Sequence, residues 1–133
     1  MGLLLGSDVL TIMPHLMPSH ISSETEACIN ECLACYEACE ATFAHCTVVG
    51  GTHAEPTHLR LLIDCARVCS MSADFMLRGS DFDIDLCEVC GEVCRQCAED
   101  CEQIDPSDEM MRECAAQCRR CGEACQKMIA NSE

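Results

Sequence analysis

The sequence sets cysteine at the spacing of an α-helix three times over. CINECLACYEAC places Cys28, Cys32, Cys35 and Cys39 at steps of four, three and four. CEVCGEVCRQCAEDC places Cys87, Cys90, Cys94, Cys97 and Cys101 at steps of three, four, three and four. CAAQCRRCGEAC repeats the pattern with Cys114, Cys118, Cys121 and Cys125, and Cys46, Cys65 and Cys69 complete a set of sixteen. Residues three and four apart share one helix face. The seam that ordinarily carries Leu and Ile is therefore written in thiol. A column of inward-facing sulfur is a repeated ligand set for a soft metal ion.

Packing alone does not account for so many thiols, because Ala or Leu would fill the same seam without the reactivity. A disulfide scaffold is the usual reading of such cysteine content in short secreted chains. Here MGLLLGSDVL has no basic segment before its apolar residues and meets Asp8 early, so no secretory signal is expected. A cytoplasmic location follows, where thiols stay reduced and serve metal or redox chemistry. The ferredoxin pattern needs loop backbone around a cluster, and these repeats hold no loop. Zinc on four thiolates carries excess negative charge, and stacking several such sites in one dry core is costly. Thiol oxidoreductases expose a low-pKa thiol at a helix start, whereas Cys32 and Cys35 lie mid-helix and face inward. Cu(I) fits best: it takes thiolate by preference, and one Cu(I) per thiolate leaves no net charge. The column would then hold on the order of 16 ions with bridging sulfurs, or about half that at two unshared thiols per ion. A general zinc or soft-metal sequestering protein is the alternative, with a thiol redox protein behind it.

The elements that position these residues can be read off as well. Ser23-Glu24-Thr25-Glu26 has the form of a capping box, Gly50-Gly51 ends a helix, and Pro56 suits the first turn of the next. Gly79 is a stop, Ser80 to Asp83 offers a cap, and Asp105-Pro106 can cap and start a last helix. Four helices are predicted at 23–48, 55–78, 83–103 and 106–130. Their short connections make neighbours antiparallel, giving an all-α, up-down-up-down four-helix bundle with a Cys-lined core. The bundle domain covers residues 21–133. Residues 1–20, broken by Pro14 and Pro18, form a separate N-terminal extension.

The first seam carries Cys28, Cys32, Cys35, Cys39, Thr42 and Cys46. The second carries His58, Leu62, Cys65, Cys69, Ser72 and Met76. The third runs from Cys87 to Cys101 and Ile104, and the fourth from Met111 through Cys114 and Cys125 to Met128. The chain holds one Tyr, three Phe and no Trp, so without its sulfurs it would bury little. Its net charge of -15 argues against nucleic acid and against an anionic membrane surface. The second helix is apolar beyond its seam at Leu59, Leu61, Ile63, Val68 and Phe75. Packing against the extension and a subunit interface are equal readings of that face.

These repeats resemble the bacterial four-helix-bundle copper storage proteins, in their cytosolic branch without an export signal. The resemblance spans about residues 21 to 130. It implies a homotetramer of bundles, each storing many Cu(I) ions, with a His- or Met-lined mouth at one end. This chain departs from the pattern in having only Cys65 and Cys69 in its second helix. One end of the tube gathers Cys46, His53, His58, Cys101, Met110 and Met111. The other gathers Phe75, Met76, Phe82, Ile84, Leu86, Met128 and Ile129 as an apolar plug. The first is expected to be the mouth. His58 is read as ligand or solvated histidine, and Met111 as ligand or core packing.

Overall fold

The structure is a computed structural model and describes residues 21–132. The expected N-terminal extension, residues 1–20, lies outside the described residues. Four helices follow one another: α1 (Ser23–Val49), α2 (Pro56–Arg78), α3 (Asp83–Ile104) and α4 (Glu109–Asn131). A single 3-10 turn, Gly51–Ala54, joins α1 to α2. Each helix packs on its neighbour in sequence, and α1 packs on α4, which closes an antiparallel bundle. The 27 residues of α1 make it about 40 Å long at the helical rise.

The stops act as their residue types require. Gly50 (φ 74°) and Gly79 (φ 66°) take positive φ, where a side chain would be strained, and each ends a helix. Pro56 sits in the first turn of α2, where its missing N–H costs nothing.

The starts differ from expectation. The α1 cap is Ser22, not Ser23: its Oγ accepts from the Thr25 amide at 3.2 Å. That frame puts Thr25 rather than a glutamate at the third position, so no capping box forms. Asp105-Pro106 does not open α4. The Asp105 Oδ1 accepts from the Ser107 amide at 3.0 Å, which makes a turn, and the helix begins three residues later than Pro106. Its cap is Asp108, whose Oδ1 accepts from the Met111 amide at 3.0 Å. The first residue of α3 follows Phe82, which offers no side-chain cap; the Ser80 hydroxyl accepts from the Phe82 amide instead.

The core is the predicted set of seams. All sixteen cysteines are buried, together with Thr42, His58, Leu62, Ser72, Met76, Met111 and Met128. Ile104 is only half-buried and borders the core. Ile29, Leu62, Met76 and Met111 are the largest apolar side chains sealed from solvent. Most of the interior is sulfur and alanine. Leu59, Leu61 and Val68 pack on the core's edge, while Ile63 and Met71 face outward. The outer faces carry ion pairs such as Arg95 with Glu92 and Glu99, and Arg119 with Glu102. Such exposed pairs add little stability.

Candidate metal centre

The four seams bring their thiols into one column. Toward the end holding Met128, Cys28 lies 4.0 Å from Cys125, and Cys87 joins them in a group of three. Cys32 meets Cys121 at 3.6 Å. At the centre Cys69 is 3.6 Å from both Cys90 and Cys94, and Cys65 is 3.7 Å from Cys94. Cys35 reaches Cys118 at 3.7 Å, and Cys39 reaches Cys114 at 3.9 Å. Cys97 and Cys101 continue the column beside Cys114. The predicted thiol seams are thus fully assembled, and none of the sixteen cysteines is diverted into a disulfide.

The grouping matters more than any single distance. Sets of four sulfurs lie within 4.8 Å of one another at Cys32, Cys90, Cys121 and Cys125; at Cys69, Cys90, Cys94 and Cys121; at Cys35, Cys65, Cys69 and Cys94; and at Cys35, Cys39, Cys65 and Cys118. Neighbouring sets share members, so each thiolate can bridge two ions. Isolated zinc sites do not share sulfurs in this way, and a zinc on each set would leave unneutralised charge in a dry core.

Proton affinity is divided across the column. Hydrogen bonds among neighbouring thiols, together with burial, hold Cys39, Cys94, Cys118 and Cys125 far above the ordinary thiol range. Hydrogen bonds from the same neighbours draw Cys65, Cys114 and Cys121 down. Burial, followed by the charge of Asp108, pushes the Cys46 thiol up to about 11. A metal ion must therefore displace protons, since only thiolate is the ligand. Loading is expected to release protons and to strengthen as pH rises, by about tenfold per pH unit for each proton released. An indicator dye in weak buffer reads the release directly; loading of equal strength at about pH 6 and pH 8 would contradict it.

One end of the column has a different chemistry. Cys46 Sγ lies 3.4 Å from His58 Nε2 and 3.6 Å from Met111 Sδ. His58 and Met111, each open to two readings in the sequence, both turn inward and are buried. The Asp100 carboxylate accepts from His58 Nδ1 at 2.6 Å. That bond holds the proton on Nδ1 and leaves the Nε2 lone pair facing Cys46, which is how metal-binding histidines are oriented. Asp100 was not picked out from the sequence. Its signal was a carboxylate one residue from the seam cysteine Cys101, at the end already marked by His58.

Two residues assigned to this end lie outside the column. His53 is buried beside Asp105 and Asp108 rather than in the column. Met110 lines a surface groove with Ala38, Ala41 and Gln117 between α1 and α4. At the opposite end Met76 and Met128 are buried, and the Thr25 hydroxyl donates to Met128 Sδ at 3.6 Å. Phe82, expected in the plug, is 62% exposed and closes nothing.

The sequence profile of the copper storage protein family matches residues 21–130, all but the last residue of the four helices. The chain belongs to the copper storage protein family. Among solved structures, it is 43% identical to the Nmul_A1745 protein of Nitrosospira multiformis, over 81% of this chain and 96% of that one, with a TM-score of 0.75. The Cu(I)-bound copper storage protein BsCsp3 shares 30% identity over 80% and 99% of the two chains, TM-score 0.75. The copper storage protein Ccsp of Streptomyces lividans, in a form loaded with 10 copper equivalents, shares 30% over 93% and 97%, TM-score 0.73. A match of 31% to the cysteine-rich protein YhjQ of Bacillus subtilis spans 52% of this chain and 64% of that protein. Family and fold agree with the thiol column. Among the described residues no helix is long and apolar enough to cross a membrane.

Proposed function

We propose that this copper storage family member holds many Cu(I) ions along its thiol column, as a non-catalytic cytosolic store, and exchanges them through the Cys46–His58–Met111 end. The observation that carries the reading is the sharing of thiols between successive four-sulfur sets. Sharing makes one continuous receptacle of what would otherwise be separate sites, and it suits an ion that neutralises one thiolate each. Ligands are all sixteen cysteines, with His58 and Met111 at the mouth.

Imidazole and thioether hold Cu(I) more loosely than a pair of buried thiolates, so a mouth built of them can accept an ion and hand it inward. Asp100 acts by keeping His58 in the productive tautomer. A homotetramer is part of the reading. It is supported by the exposed apolar Met71 on α2 and Phe82 and Val89 at or near the start of α3, and light scattering gives the mass that tests it.

Metal content decides between copper and the zinc alternative. Protein purified anaerobically from copper-supplied cells is expected to carry several copper ions per chain, and protein from zinc-supplied cells no more than about one zinc per chain. Several zinc ions per chain, held by the thiols in place of copper, would overturn the proposal.

A further inference from the structure

A second cluster of ligating side chains lies outside the thiol column. It joins the last turns of α1 and the α1–α2 connection to the α3–α4 connection. His45 Nε2 is 2.7 Å from Asp108 Oδ2. His53 Nε2 is 3.3 Å from the same oxygen and 3.5 Å from Asp105 Oδ2. The two imidazoles stand edge-on, with centroids 6.1 Å apart. Both imidazole nitrogens thus face Asp108 Oδ2, and His53 Nε2 faces Asp105 Oδ2 as well.

The carboxylates are fixed before any ligand arrives. Asp108 Oδ1 is committed to the Met111 amide as the cap of α4, and Asp105 Oδ1 to the amide and hydroxyl of Ser107. Each acid therefore turns its Oδ2 toward the histidines. His53 shows that the arrangement is unfinished. Its side chain is 9% exposed and its Nε2 is sealed from solvent, with two carboxylate oxygens at ion-pair distance but no aligned hydrogen bond. A buried polar nitrogen without an aligned hydrogen bond is costly. His45 and Asp105 are partly exposed, so an ion has a path in.

We propose that His45, His53, Asp105 and Asp108 form a separate site for one zinc-type divalent cation. The donor set of two nitrogens and two oxygens is one that Zn²⁺ accepts, and two carboxylates balance its charge. The soft Cu(I) of the column has no preference for it. The site would pin together the two loops that flank the Cys46–His58–Met111 end.

The test uses full-length protein saturated with Cu(I), so that its thiols are already filled. It is titrated anaerobically with Co²⁺, whose visible bands report the ligands, and the bound Co²⁺ is then displaced by Zn²⁺. One Co²⁺ per chain is expected, with the weak visible bands of nitrogen and oxygen ligation and no intense thiolate-to-cobalt absorption. His53→Ala and Asp105→Asn should each weaken binding at least tenfold while leaving the Cu(I) capacity as it was. Glu109→Gln, which removes a neighbouring exposed charge, should bind as the parent does. No bound Co²⁺, a thiolate signature, or binding that survives both His53→Ala and Asp105→Asn would overturn the assignment.

Discussion

Removing the His58 and Met111 side chains together is expected to slow Cu(I) loading and unloading by about tenfold or more, while the final capacity stays nearly unchanged. The two residues converge on Cys46 at 3.4 and 3.6 Å, but the remaining ligands are thiols spread along the rest of the column. An ion passing this end must exchange partners stepwise. Without imidazole and thioether it meets only Cys46, whose proton is held up to about 11 by burial and by Asp108. Asp100→Asn should reproduce part of the effect, because it releases the 2.6 Å bond that orients His58. Stopped-flow transfer from a Cu(I) donor measures the rates. If the double variant loads as fast as the parent, while Met76→Ala and Met128→Ala slow transfer, the mouth lies at the other end.

Copper should also transform stability. The reduced, metal-free chain is expected to be helical already, since its helices carry side-chain caps at Ser22 and Asp108 and glycine stops at Gly50 and Gly79. Its core is nevertheless lean: Ile29, Leu62, Met76 and Met111 are the main large apolar groups within it. Each fully buried side chain of that kind contributes about 1.5–3 kcal/mol. A site filled at a thousandfold over its Kd adds roughly 4 kcal/mol, and several such sites act together. At about 2–8 °C per kcal/mol, Cu(I) saturation is expected to raise Tm by tens of degrees. Anaerobic circular dichroism and calorimetry of the two forms check both halves. An unfolded metal-free spectrum, or a Tm that copper does not move, would contradict this account.

Much of this was legible in the residues because cysteine reported its own periodicity. Steps of three and four fixed which face of each helix turned inward, and Gly50, Pro56 and Gly79 fixed where helices stopped or began. Side-chain caps were harder. Ser22 and Ser23 are adjacent and chemically alike, and Asp105 and Asp108, three residues apart, offer the same capping group. The choice between them rests on which amide each side chain reaches, Thr25 for Ser22 and Met111 for Asp108, which composition does not encode. The meeting of His58 with the thiol column was legible, since His58 occupies a seam position. Its supporting carboxylate was not, because the pairing of Asp100 with His58 spans two helices and depends on how α2 and α3 are offset. His53 misled for the opposite reason. It lies at the correct end, but the 3-10 turn carries it to the outer side, where Asp105 and Asp108 wait.

The reading that the column is a store stands on how many ions it takes up. Reduced metal-free protein, titrated anaerobically with Cu(I) against a chromophoric Cu(I) chelator, is expected to saturate at on the order of 16 ions per chain, as thiolate bridging allows. Saturation below about four ions per chain would mean that the shared sulfur sets are not filled as a continuous column, and the storage account would fail.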